Sequence, residues 1–164
     1  MPSAGDIIDA ADVNTIVGTQ LGIVASPVTS VSNGTVTSGT TETRDAVLGN
    51  YVFTVAAAQA STRYRVVLAG RGLNGTVAGD RYTINFRDGG ASTPTATSTL
   101  VGVNFNVYIP ATGSTGVQAN FMGSTFVPGA GTHTIGVFVV RSLGTGTATP
   151  NGACEFYVEA LGPH

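Results

Sequence analysis

The stretch DRYTINFRD, residues 80–88, decides the fold. Tyr82, Ile84 and Phe86 alternate with Arg81, Thr83, Asn85 and Arg87. A period of two puts the apolar groups on one side of an extended strand and the polar groups on the other. A helix would scatter both sets around its axis.

Outward from this stretch the same pattern recurs. RYRVVLAGRG, residues 63–72, puts Tyr64, Val66 and Leu68 on one face, with Arg63, Arg65 and Arg71 on the other. NYVFTVAA, residues 50–57, aligns Tyr51, Phe53 and Val55; LVGVNFNVYI, residues 100–109, aligns Val101, Val103, Phe105, Val107 and Ile109. Further runs centre on residues 117–121, on TIGVFVVR from 134 and on CEFYVEAL from 154. Turn chemistry separates them: Asn74-Gly75, Asp88-Gly89-Gly90, Gly113-Ser114, Pro128-Gly129-Ala130-Gly131 and Pro150-Asn151-Gly152. Short strands at this spacing predict an all-β antiparallel sandwich over 45–164, with a jelly roll as the preferred topology. Alternation alone does not set strand order.

Two strands have apolar residues on both parities. In TIGVFVVR, Val137 and Val139 face one way, Phe138 and Val140 the other. A two-layer sandwich needs one apolar face per strand, so the spare face predicts a subunit interface at Phe138 and Val140. Tyr108 and Tyr157 lie opposite their strands' main apolar sets and join that candidate interface, or form a small contact patch.

Composition agrees. The 164 residues are 42% hydrophobic and 10% charged, with 23 Gly and no Trp. Soluble domains carry roughly 25% charged residues, so the polar surface here must come from Thr, Ser, Asn and backbone. Net charge is −2, and the seven basic residues, all Arg, are scattered. Nucleic-acid binding, which needs clustered cations, is not expected. No apolar run is long enough for a membrane span and no signal peptide opens the chain, so a soluble product is expected, neither secreted nor membranous. The single Cys154 shares the parity of Phe156 and Val158 and reads as a buried thiol.

The chain begins differently. In GDIIDAADVNTIV, residues 5–17, Asp9 suits a helix N-cap and Asp12 the first turn. Ile7 and Ile8, with Val13, Ile16 and Val17, supply apolar groups that gather roughly on one side at helical spacing, and Gly18 ends the pattern. So short a helix is unstable alone and must dock. Residues 1–24 therefore read as an attachment arm, and the Thr/Ser/Gly-rich 25–44 as a polar linker or an edge hairpin. The Asn33 and Asn74 sequons read as turns.

Catalytic constellations are not expected. Glu155 and Glu159 share a wet strand face with Tyr157 between them, a poor place for an acid/base pair across a sugar. Asp80 and Asp88 bracket a strand and read as turn caps. His133 reads as a polar residue at a strand start, without metal-ligating company. No cofactor, metal or catalytic residue is assigned.

GDIIDAADVN, residues 5–14, resembles the start of small virion proteins of tailed bacteriophages. The run TRYRVVLAGRGLNGTVAGDRYTINFRDGGA, residues 62–91, resembles jelly-roll structural proteins of actinobacterial phages. The resemblance implies trimers of tumour-necrosis-factor-like sandwiches anchored by an N-terminal segment. It also implies a non-enzymatic capsid decoration protein, made in the host cytoplasm and placed on the outside of the virion head. The arm would hold the major capsid protein. The alternative is a minor tail or fibre protein that contacts the host surface.

Overall fold

Period-two segments become strands because alternate side chains can then share one apolar layer. The structure, a computed structural model, describes residues 22–30, 39–110, 117–118 and 121–163. The strands are β1 (Gly22–Ile23), β2 (Val28–Ser30), β3 (Thr43–Arg44), β4 (Asn50–Val55), β5 (Thr62–Ala69), β6 (Gly72–Gly75) and β7 (Arg81–Asp88). They continue as β8 (Thr99–Leu100), β9 (Phe105–Tyr108), β10 (Val117–Gln118), β11 (Phe121–Phe126), β12 (Gly131–Leu143), β13 (Ala148–Asn151) and β14 (Cys154–Pro163). One 3₁₀ turn, Ala57–Gln59, joins β4 to β5. The N-terminal arm with its expected helix lies outside the described residues up to Leu21.

Pairing is antiparallel throughout. In one sheet β1 and β2 both border β14, which borders β5, which borders β11. The small sheet β10-β6-β13 repeats those neighbours one segment further along the same chain runs, so it extends the first sheet past a bend. Together they are sheet I. Sheet II runs β3 and β4, then β12, then β7, then β8 and β9. Numbered along the chain as eight strand positions, sheet I takes 1-8-3-6 and sheet II takes 2-7-4-5. That is the order of a jelly roll.

The two inner faces meet in one apolar core. Phe86 of β7 stacks on Phe156 of β14 with centroids 6.1 Å apart, and Phe53 of β4 meets Tyr64 of β5 at 5.6 Å. The alternating sets read from sequence supply it: Tyr51, Phe53, Tyr64, Val66, Leu68, Tyr82, Ile84, Phe86, Ile135, Val137 and Val139. Cys154 is buried among them. Tyr51 also pins the start of the chain, its hydroxyl donating to the Ala25 carbonyl at 2.6 Å and accepting from the Ala25 N–H at 2.7 Å.

Several expectations need correction. Asn74-Gly75 is no turn but the end of β6, and Arg71 is buried instead of wet. Both follow from Gly70, whose φ of 82° inserts a residue and flips the parity between Leu68 and Leu73, both core residues. A Cβ at Gly70 would sit 2.6 Å from the Ala153 carbonyl, so only glycine permits the bend. Val103 is exposed, because the chain turns at Gly102 and β9 begins only at Phe105. Within the segment read as arm end and linker, β1, β2 and β3 add edges to both sheets.

Candidate functional site

Nearly every described carboxylate is engaged by the fold itself. Asp45, between β3 and β4, accepts from Arg71 Nε at 2.9 Å and from Nη2 at 2.7 Å; both side chains are buried. Arg71 also donates to the Gly152 carbonyl, so the pair ties sheet II to the bend of sheet I. Asp80 accepts from the Thr145 and Gly146 N–H groups and from the Tyr82 hydroxyl. Burial first, then the neighbouring Asp80 charge, pushes the Tyr82 phenol up to about 12. The turn over Asp80 needs Gly144, at φ 96°, where a Cβ would lie 1.8 Å from an Asp80 oxygen.

Asp88 accepts from the Gly90 and Thr134 N–H groups, which makes it a turn cap, and meets His133 Nδ1 at 2.7 Å. His133 is the third residue of β12, at the strand start its sequence marks, and is buried there with its ring 5.4 Å from Phe53, at the rim of the core. Glu42 bonds Arg87, and Glu159 bonds Arg65. Of the described carboxylates, Glu155 alone stands exposed without an ion-pair partner among the described residues. No group of three His, Cys, Asp or Glu that could hold a metal occurs among them either. Chemistry available to a partner therefore resides in the two outer sheet faces.

The outer face of sheet II is partly roofed by its own chain. Phe138 has Arg44 and Asn85 as cross-strand neighbours. Above this row Glu42 accepts from Asn85 Nδ2 at 2.6 Å and from Arg87 Nε and Nη2 at 3.2 and 2.7 Å, a bidentate clamp. Gly39 and Asp45 anchor the strap at either end, the Gly39 carbonyl accepting from Arg141 N–H and the Asp45 N–H donating to Val137. Phe138 is left 2% exposed. Phe138, expected at a subunit interface, is thus buried within the single chain. Val140, on the same face, is half-buried.

Past the strap the face opens. Arg81 has Tyr108 and Leu143 as its cross-strand neighbours, each 55% exposed. Its guanidinium lies over the Tyr108 ring, 5.9 Å from the centroid, and Nε donates to Ser142 Oγ at 3.1 Å. Phe138, Val140 and Tyr108 thus share one face as one roofed, one half-covered and one open position. Leu143 and Glu42 escaped sequence reading. Leu143 follows a register shift between Arg141 and Leu143, and the bonds of Glu42 span 43 and 45 residues.

Tyr157 belongs to the other face, that of sheet I. It pairs across to Val67, the next rung pairs Glu159 with Arg65, and the outer rungs carry Glu155 against Ala69 and Arg63 against Gly162. Tyr157 is half-buried, while Ile23 and Leu161 are exposed beside it. The arm residues Ile7, Ile8, Val13, Ile16 and Val17 lie outside the described residues. No protein-family model matches this chain, and no curated protein matches it.

Proposed function

We propose that this chain is a non-enzymatic structural protein of a phage virion, a decoration protein that binds the outer surface of the head and stabilises it. What carries the reading is the division of labour along the chain. The sandwich spends its carboxylates on its own turns and clamps, and the sequence before β1 has apolar residues at helical spacing in a run too short to be a stable helix alone. That segment would dock on the major capsid protein through Ile7, Ile8, Val13, Ile16 and Val17. The sandwich is the rigid body displayed. Self-association of the chain belongs to the same reading, since once one copy is held the next attachments become intramolecular and weak arms suffice.

A second reading, a minor tail or fibre protein that contacts the host surface, is favoured by the open end of sheet II. There an exposed Tyr108 stands beside a half-buried Arg81, residue types that dominate binding hot spots. Cosedimentation with purified heads separates the two. Removing residues 1–20 spares β1 and should abolish head binding while the sandwich still folds. Retained binding by the shortened chain would overturn the arm's role.

A further inference from the structure

The two outer faces differ in where their unpaired charges stand. On sheet I the central rung is closed by the Arg65–Glu159 pair, with Tyr157 and Val67 beside it. Glu155 and Arg63, both exposed and without ion-pair partners among the described residues, stand at opposite ends of the same face. Their rungs are Glu155–Ala69 and Arg63–Gly162, and the midpoint between Ala69 and Arg63 on β5 is the rung Val66–Val158. A face with an acid at one end, a base at the other and a closed ion pair beside Tyr157 between them is complementary to itself when turned end for end.

We infer that a second copy of this chain docks on the outer face of sheet I, related by a twofold axis that crosses the strands at the Val66–Val158 rung. Turning the face about that axis lays Glu155 of each copy over Arg63 of the other, two symmetric contacts per pair. Tyr157 of one copy, beside the buried Val67, then faces the neutralised Arg65–Glu159 rung of the second, so no unpaired charge is trapped in the middle. Ile23 and Leu161, exposed at the margin, are covered in the same step. A threefold axis along the strands would bring equal heights together instead, leaving Glu155 opposite the Thr29 or Ala69 level with no cation to meet.

The area sets the strength. Four strand positions about 4.8 Å apart, and six residue steps of about 3.3 Å, outline roughly 400 Å² per copy, so the pair covers about 800 Å² against the roughly 1,200 Å² of a stable interface. The pair is weak in free solution and gains where many copies are held close together. The inference deepens the self-association of the reading above and rests on that reading only for this crowded setting.

Sedimentation equilibrium of the full chain, across micromolar to millimolar concentration at low salt, tests it. The expected result is a monomer–dimer equilibrium. Glu155→Arg alone and Arg63→Glu alone should each weaken it about tenfold, because each puts two like-charge contacts into the pair. The double variant, Glu155→Arg with Arg63→Glu, should return to within about twofold of the parent. Both residues are exposed, and recovery in the double variant also certifies that the single variants had folded. A chain monomeric throughout, a trimer, or single variants with unchanged association would overturn the inference, as would a double variant weaker than either single one. Head binding is read separately: a chain that dimerises but ignores heads sinks only the decoration reading, and one that binds heads as a monomer sinks only this inference.

Discussion

The outer faces of sheets I and II start from the same kind of strand and end in opposite states. On sheet II the spare aromatic of β12, Phe138, is buried, and near it Glu42, remote in sequence, pairs with Arg87 and accepts from Asn85. On sheet I Val67 is buried too, but Tyr157 stays half-buried, and Glu155 and Arg63 are exposed without ion-pair partners among the described residues. An apolar residue on the wrong parity is therefore an ambiguous sign. It marks an interface only where the chain lacks a segment to cover it. The charges tell which case holds, because intramolecular coverage comes with internal pairing and intermolecular coverage leaves ends unpaired.

The largest effect should come from the bond on which both faces depend. Arg71→Met strands Asp45 in the interior and should cost about 3–5 kcal/mol in urea unfolding. Changing both members, Asp45→Leu with Arg71→Met, should cost less than the single change, since no lone charge is then buried. A double variant worse than Arg71→Met would show that the pair does more than neutralise itself.

The contrast between the faces is sharpened by truncating one aromatic on each. Phe138→Ala should cost about 3 kcal/mol, as for a core phenylalanine, and Tyr157→Ala about 1 kcal/mol. Equal losses would break the comparison, because they would make Tyr157 as enclosed as Phe138. Between the faces, the interior answers to alkali. The Tyr82 phenol is pushed from 10.0 to about 12 in the fold, so between those values the folded chain holds a proton that the unfolded chain releases. Stability is then complete below about pH 10 and falls as pH rises towards 12, by about 2 kcal/mol. Tyr82→Phe should remove that part of the alkaline decline in thermal melts across the range; an unchanged decline would assign it to other groups. Smallest is the strap: Glu42→Gln should cost about 1 kcal/mol and speed amide exchange in residues 39–44. Unchanged exchange there would mean that the clamp does not hold the strap down.

The sandwich was legible because its core strands keep strict alternation. Tyr51 to Val55, Tyr64 to Leu68, Tyr82 to Phe86 and Cys154 to Val158 all bury the parity their sequence marks. Strand order was not, since alternation is the same whichever neighbour a strand takes. Local breaks misled as well: Gly70 flips parity and so hides Arg71 and extends β6 through Asn74, while Gly102 turns Val103 outward. Of the candidate surface, parity marked Phe138, Val140, Tyr108 and Tyr157 as opposite to their strands' main apolar sets, and only the pairing of strands separates Tyr157, on sheet I, from the other three on sheet II. What parity could not show was coverage, because Glu42 lies in a Thr-rich stretch with no periodic signal, and its partners Asn85 and Arg87 are more than forty residues away. Likewise the closeness of Arg81 and Tyr108 depends on the register of β7 against β9, which no local pattern carries.

The most direct test of the proposed virion role is the copy number of this chain in purified virions, quantified by mass spectrometry against the major capsid protein. A decoration protein that covers the head lattice predicts roughly one copy per one to three capsid subunits. A ratio below roughly one in fifty would be too few for a lattice and would move the chain to the tail. Absence from the virion would contradict both readings.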